Sequence, residues 1–248
     1  MNPYTQYTYT GAELERFTKA TNWKNYVSKK LRPYLTGSVI EVGAGLGGST
    51  KYLCDRIHVR WLCLDPDANH ASHLKSLIAA GKLPPCCEAR CGVLADLDRS
   101  ELADTILYVD VLEHIQDDEA EMLIAAAHLA PGGHIVVLAP AFNFISSPLD
   151  KAVGHYRRYQ RDDARRLSSQ SLSLQATFFL DSAGFFASAL NRLILRKSLP
   201  SSRDIKIWDK VVVPISILTD KILGSLFGRS IVMVWQKDPA GNHGHSLY

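Results

Sequence analysis

Cysteine is scarce in this chain, and none of it is patterned: Cys54, Cys63, Cys86, Cys87 and Cys91 form no C-x-x-C pair. That argues against the common zinc frameworks and a small disulfide scaffold; buried free thiols of a reducing compartment are the first reading, and a metal or disulfide role is the alternative. Charge of one sign is lacking too. With 28 Lys and Arg against 25 Asp and Glu, the net charge is only +3, too weak a field to gather nucleic acid. No basic stripe with interleaved aromatics occurs either. Long apolar runs are missing: residues 211–219, the most apolar late stretch, lie between Asp209/Lys210 and Asp220/Lys221, far short of the ~20 residues of a spanning helix. The opening MNPYTQYTYT carries no cationic-then-apolar leader, so the expected location is cytoplasmic.

What is present suits one substantial domain: 248 residues, 46% of them hydrophobic. Residues 38–67, SVIEVGAGLGGSTKYLCDRIHVRWLCLDPD, organise the rest. They read as an apolar strand (Val39, Ile40, Val42), a turn with Gly43, Gly45, Gly47 and Gly48, a short helix over 49–56, and a strand over 59–64 ending on Asp65. Glycines at a strand-to-helix turn permit positive φ and close approach of backbone N–H groups to a ligand. An acid at the tip of the next strand can accept both hydroxyls of a ribose. The stretch predicts a nucleoside-bearing cofactor across the carboxyl ends of a parallel sheet.

The same alternation continues along the chain. Leu14, Phe17, Trp23, Val27 and Leu31 recur at helical intervals over 12–35. A helix over 69–80 stops at Gly81, and strands follow at 86–91 and 105–109. Acids at 117, 118, 119 and 121 open a helix that runs to Ala130, where Pro131-Gly132-Gly133 stops it before a strand at 134–139. After a loop over 140–154 come an arginine-rich helix (159–167), a strand (172–180), an apolar helical excursion (181–228) and a last strand (230–236). Short apolar strands alternating with helices specify a parallel sheet covered on both faces.

Gly43-Ala44-Gly45-Leu46-Gly47-Gly48 with Asp65 also satisfies the dinucleotide fingerprint, so these residues alone leave an NAD-dependent oxidoreductase open. Three longer blocks point elsewhere: Val39-Ile40-Glu41-Val42-Gly43-Ala44-Gly45, Tyr108-Val109-Asp110-Val111-Leu112-Glu113-His114-Ile115, and Ser147-Pro148-Leu149-Asp150 followed by Gly154-His155-Tyr156-Arg157-Arg158-Tyr159. With Leu129-Ala130-Pro131-Gly132-Gly133, Ser198-Leu199-Pro200 and Trp208-Asp209, they resemble class I S-adenosylmethionine (SAM) methyltransferases over residues 20–237. The third block resembles a bacterial subgroup with a GHYRRY-type motif, often found beside glycosyltransferases.

The resemblance implies an α/β Rossmann-like fold: a seven-stranded, mostly parallel sheet with an antiparallel last strand and a helical insertion between strands six and seven. It implies a helical lid (1–36), a SAM-binding core (37–180), a substrate cap (181–229) and a last strand with its tail (230–248). The implied reaction moves a methyl group from SAM, leaving S-adenosylhomocysteine (SAH). The acceptor is an O or N atom of a small aromatic or heterocyclic metabolite, or of a glycan or lipid intermediate. A protein of this fold that keeps the pocket without methyl transfer, as a cyclase or binding protein, is the further alternative.

Residue by residue, the resemblance puts Glu41, Gly43, Ala44, Gly45 and Gly47 on the methionine part of SAM, and Asp65 with Pro66 on the ribose. Asp110 and Val111 face the aminoacyl end. Many relatives carry an acid where this chain has Val93, so adenine falls to backbone groups at Val93 and Leu94 or to Asp96. A proton-bearing nucleophile needs a base: His155 is the first candidate and His114 the second, with Tyr156 beside them. The competing reading makes His155, Tyr156, Arg157 and Arg158 a hydrogen-bonded clamp. Phe142, Phe185 and Phe186, with Leu190, Leu193 and Ile194, form the expected substrate wall, Arg157 a grip for an anionic group, and Tyr7 and Tyr9 a tail over the cofactor mouth. No metal is expected, Asp67, His70 and His73 reading as solvated. The expected partner is a small-molecule acceptor, with no nucleic acid, and the state a monomer or homodimer. Arg192, Arg196 and Lys197 offer contact with a membrane surface.

Overall fold

Short continuous apolar runs become strands, and the polar-faced segments between them become the helices that cover both faces. The structure, a computed structural model, describes residues 19–55, 57–190, 201–223 and 225–239. Helix α1 (Thr21–Leu31) precedes β1 (Ser38–Val42), α2 (Thr50–Leu53), β2 (Arg60–Asp65), α3 (Ala68–Ala79), β3 (Cys87–Cys91) and β4 (Ala103–Val109). Then come α4 (Asp118–Ala127), β5 (Leu129–Pro140), α5 (Pro148–Ala152), α6 (Arg161–Arg166) and β6 (Leu172–Leu180). Helices α7 (Ser182–Leu190), α8 (Ser202–Ile207) and α9 (Val213–Ile222) lead to β7 (Ser230–Lys237), with a π-helical turn, Trp208–Val212, joining α8 to α9.

The sheet order is β3-β2-β1-β4-β5-β7-β6. Strands β1 to β5 pair in parallel, whereas β7 runs antiparallel to both β5 and β6. The expected seven-stranded sheet is therefore present, with the reversed strand slotted inside the edge strand β6. Because β1 leads outward to β2 and β3 and the chain then returns to β4 on the other side, the switch point lies between β1 and β4. A ligand crevice belongs at the carboxyl ends there.

Strand side chains alternate between two cores. Ile40, Leu62, Ile106, Tyr108 and Val137 meet α4 and the loop carrying Tyr159 on one face. Val39, Trp61, Leu107 and Val136 meet α1, α2 and α3 on the other. A third cluster (Ala20, Ile205, Trp208, Val213) ties α1 to the C-terminal helices. Its seam is also polar: Asp209 Oδ1 accepts from the Trp23 amide at 3.0 Å, and Asp220 Oδ2 from the Tyr26 hydroxyl at 2.7 Å.

Two local features differ from the periodicity. Helix α4 ends at Ala127, and Pro131-Gly132-Gly133 sits inside β5, because Leu129 already pairs with Ala103 and a register shift absorbs the turn-formers. Of the thiols expected to be buried and free, Cys54, Cys63 and Cys87 are buried, Cys86 is half-buried and Cys91 is exposed; Cys54, Cys86 and Cys87 converge, with Cys54 Sγ 3.5 Å from Cys86 Sγ and 3.6 Å from Cys87 Sγ. Sequence spacing cannot show that, since the partners come from different elements. Tyr7, Tyr9, Leu14, Phe17, Leu193, Ile194, Arg192, Arg196, Lys197 and the Ser198-Leu199-Pro200 block lie outside the described residues.

Candidate active site

The glycine turn depends on backbone conformations that glycine adopts at no steric cost. Gly43, Gly45 and Gly47 have φ of 67°, 55° and 72°, and a Cβ on Gly43 would come within 2.6 Å of Val111 Cγ2; no other residue fits that approach. The turn is lashed to the tip of β2. Gly43 and Ala44 donate their amides to Leu64 O at 2.7 and 3.1 Å, and Gly45 donates to Asp65 Oδ2 at 2.7 Å. Asp65 Oδ1 accepts from the Asp67 amide at 3.0 Å and lies 3.1 Å from His70 Nδ1. Asp65, placed by its sequence beside the ribose, is thus first of all the anchor of the turn. Pro66, next along, is exposed.

Beneath the turn, Glu41 is buried, its Oε2 accepting from Thr50 Oγ1 at 2.7 Å and Trp61 Nε1 at 2.8 Å. Burial pushes its carboxyl up to about 7, against the pull of those two bonds. Lys24, on α1, carries no sequence signal, since a lysine on an amphipathic helix reads as solvated. It is half-buried, and enclosure lowers its pKa while Asp110 and Glu41 oppose that. Lys24 therefore stands near two acids, Asp110 and Glu41.

Asp110 closes β4 in the left-handed region, φ 55°, its amide donating to Leu138 O at 2.8 Å. Its side chain is reachable by solvent yet enclosed by protein. The enclosure pushes its carboxyl up, opposed by His155, Arg229, Lys24 and Arg158. At the far side, the Val93 amide is taken by Asp96 Oδ2 at 2.9 Å, and Leu94 is wholly buried. Of the backbone groups expected to meet adenine, that one is already engaged.

The loop after β5 supplies the second half of the site. His155 Nδ1 lies 2.9 Å from Asp150 Oδ1, and since a carboxylate only accepts, Nδ1 carries the proton and Nε2 is the basic atom. Arg158 Nε donates to the same Asp150 oxygen at 2.7 Å, and the Ser147 amide to Oδ2 at 2.7 Å. Burial pushes Asp150 up, but the bonds from His155 and Arg158 outweigh it and hold the carboxyl below the ordinary range. His114 meets His155 edge to face, ring centroids 4.6 Å apart. Burial, then His155, lowers His114 to about 4, so it is neutral at physiological pH.

Glu113 is the residue the sequence quoted without assigning a role. It is wholly buried, and neither carboxyl oxygen has a hydrogen-bond partner among the described residues. His155 Nε2 is 3.8 Å from its Oε1. Burial, then the charge of Asp110, raises its pKa well above the ordinary carboxyl value. Folded Glu113 and Glu41 keep protons that the unfolded chain releases, so raising the pH favours unfolding. From the ordinary 4.5 to about 7, Glu41 alone should cost about 3 kcal/mol. Thermal melts across that window should show Tm falling with pH. Glu41→Gln and Glu113→Gln should each flatten the fall, and a wild-type Tm that climbs with pH would contradict both assignments.

Arg157 and Tyr159 are spent on structure. The Arg157 guanidinium donates to Gln116 O and lies 2.6 Å from Asp118 Oδ1, and the Tyr159 hydroxyl donates to Leu112 O and Asp118. Tyr156 donates its amide to Glu113 O at 2.8 Å, with the residue 48% exposed. The clamp is therefore present around His155. The phenylalanine wall also assembles: Phe142 (φ 58°) stacks on Phe179 at 4.8 Å and meets Phe185 at 5.4 Å, and Phe185 and Phe186 both meet Phe227. His70 is turned to Asp65, Asp67 caps α3 through the Asn69 amide, and His73 is exposed, so those three form no ligand set.

A switch point with Asp110 at the carboxyl end of β4, a glycine turn bent through positive φ, acids with one lysine, and a cluster of phenylalanines fit a cofactor with an aminoacyl end and a nucleoside. The family model for the methyltransferase domain matches residues 12–184. The chain belongs to the SAM-dependent methyltransferases. The fold agrees: the structure of geranyl diphosphate methyltransferase in complex with SAM superposes with a TM-score of 0.62 at 12% identity, covering 92% of this chain and 91% of that one. The [4+2]-cyclase SpnF has the same fold (TM-score 0.61, 11% identity, 87% and 81% covered). Among curated sequences, the ubiquinone biosynthesis O-methyltransferase of Bradyrhizobium sp. (strain ORS 278) is 29% identical over 102 residues, 40% of this chain and 38% of that protein. The chain thus spans about two fifths of the length of the curated relatives it matches. The methyltransferase family sets the oxidoreductase alternative aside. Among the described residues, no helix is long and apolar enough to cross a membrane.

Proposed function

We propose that this methyltransferase moves a methyl group from SAM onto a hydroxyl oxygen of an acceptor with an apolar, aromatic or lipid, body. Its carrying observation is the Asp150–His155 pair, set at 2.9 Å, with His155 near Asp110 at the carboxyl end of β4. SAM supplies an electrophilic methyl carbon on a sulfonium. Glu41 and the Gly43–Gly47 turn hold the aminoacyl end, Lys24 faces its carboxylate, and Asp65 serves the ribose. Asp150 fixes the His155 tautomer so that Nε2 takes the hydroxyl proton. Phe142, Phe185 and Phe186 exclude water, which strengthens the remaining electrostatics, while α1 and the C-terminal helices serve as lid and cap. Relatives of this fold act on small molecules, and the partial relative from Bradyrhizobium sp. is named for O-methylation, which favours oxygen over nitrogen.

Calorimetric titration of the purified protein with SAH and with NAD tests the cofactor, and methyl-labelled SAM offered with phenolic and lipid alcohols tests the acceptor. Binding of SAH without NAD, and label on an alcohol oxygen, are expected. Tight NAD binding, or label on nitrogen alone, would overturn the respective part.

A further inference from the structure

A surface helix normally turns its apolar stripe inward and its charges outward. The run through α8, the π-helical turn and α9 buries Ile205, Trp208 and Val213, yet leaves a second apolar stripe facing out. Its inward side carries the acids: Asp209 and Asp220 are 2% exposed, bonded to Trp23 and Tyr26 of α1, and Ser216 Oγ donates to buried Asp181 at 2.6 Å. Its outward side carries Ile207, Val211, Ile215, Leu218 and Ile222, each between 48 and 73% exposed and spaced three or four residues apart. Such spacing puts all five along one side of the helix. Leu226 after it and Phe186 and Leu190 on α7 enlarge the apolar area, at 65, 56 and 54% exposure. Scattered exposed leucines need no account, but a contiguous patch of this size does.

The exposed charges on the same run are of one sign. Arg203, Lys206, Lys210 and Lys221 face solvent, whereas Asp204 is half-buried and Asp209 and Asp220 are buried. Residues 191–200, NRLILRKSLP, which join α7 to α8, add two arginines and a lysine with no acid. Among the described residues of this run, the exposed charges around the apolar stripe are thus cationic, with Lys210 lying 3.9 Å from buried Asp209. Apolar side chains flanked by lysine and arginine suit the boundary between anionic headgroups and acyl chains. Phe186 and Phe227 then continue inward through Phe185 to Phe142, beside the candidate active site.

We infer that the α8–α9 stripe seats the enzyme on an anionic bilayer surface, and that the acceptor is a membrane-resident molecule whose apolar part enters along the phenylalanine path. The seat stands on the helix itself; the acceptor class rests on the methyl-transfer reading above. Flotation with vesicles tests it. The full chain should float with vesicles of three parts phosphatidylcholine to one of phosphatidylglycerol, weakly with phosphatidylcholine alone, and less at high salt. Each cation replaced in Lys206→Ala, Lys210→Ala and Lys221→Ala should lower the partition roughly fivefold. The double variant Ile215→Glu/Leu218→Glu should stay in the aqueous fraction while binding SAH as the wild type does, which shows that it folds. Failure of the wild type to float overturns the seat, and so does a stable dimer in sedimentation that the double variant splits, since a second copy would then cover the stripe. Flotation without SAH binding would sink the methyl-transfer reading and leave the seat intact.

Discussion

Asp65→Ala is expected to lower SAH affinity by two orders of magnitude or more. The carboxylate sits at 2.7 Å from the Gly45 amide and 3.0 Å from the Asp67 amide. Hydrogen bonds to a charged group contribute about 1.5–3 kcal/mol each. Removing the side chain releases the glycine turn from β2 and withdraws the proposed ribose acceptor together, so the two losses compound. Asp65→Asn separates them, because its amide oxygen still accepts from Gly45 while one acceptor for the ribose hydroxyls is gone. It should bind SAH more tightly than the alanine variant and more weakly than the wild type in calorimetry. Wild-type affinity in both variants would place the nucleoside somewhere other than the tip of β2.

The second large effect concerns turnover. Removing a positioned general base lowers kcat by about 10²–10⁴-fold, and His155→Ala should do so with SAH affinity unchanged. The clamp around His155 makes a structural loss the rival explanation, since Asp150 also holds Arg158 and the Ser147 amide. His155→Gln distinguishes them. Its amide can again donate to Asp150 and restore Tm, but it has no basic nitrogen. Recovered stability with turnover still lost identifies His155 as the base; recovery of both leaves it a positioning residue. Asp150→Asn, acting through His155, should lower kcat more than it raises KM.

Much of the fold was legible because it rests on local patterns. Strands of continuous Val, Ile and Leu, the glycine turn after Val42 and the acid ending β2 each announce themselves within a few residues, and β6 has the bounds its apolar run gives. What stayed hidden depends on residues distant in the chain. Lys24 reads as one more surface lysine until α1 is laid over the crevice facing Asp110 and Glu41. Glu113 shows its missing partners only once the sheet buries it. The π-helical turn 208–212 and the outward stripe after it look, in sequence, like any apolar helix; only the inward aspartates reveal which way it faces. The end of α4 was misplaced for a related reason: Pro131-Gly132-Gly133 is a stop signal locally, but pairing of Leu129 with Ala103 begins the strand before it.

The most direct measurement of the central claim is a crystal structure of the full chain with SAH. The account predicts the amino acid end over Gly43–Gly47 with its carboxylate at Lys24, the ribose at Asp65, and the sulfur above Asp110 facing His155 and Phe142. SAH bound away from the carboxyl ends of β1 and β4, or with its sulfur turned from His155, would contradict it.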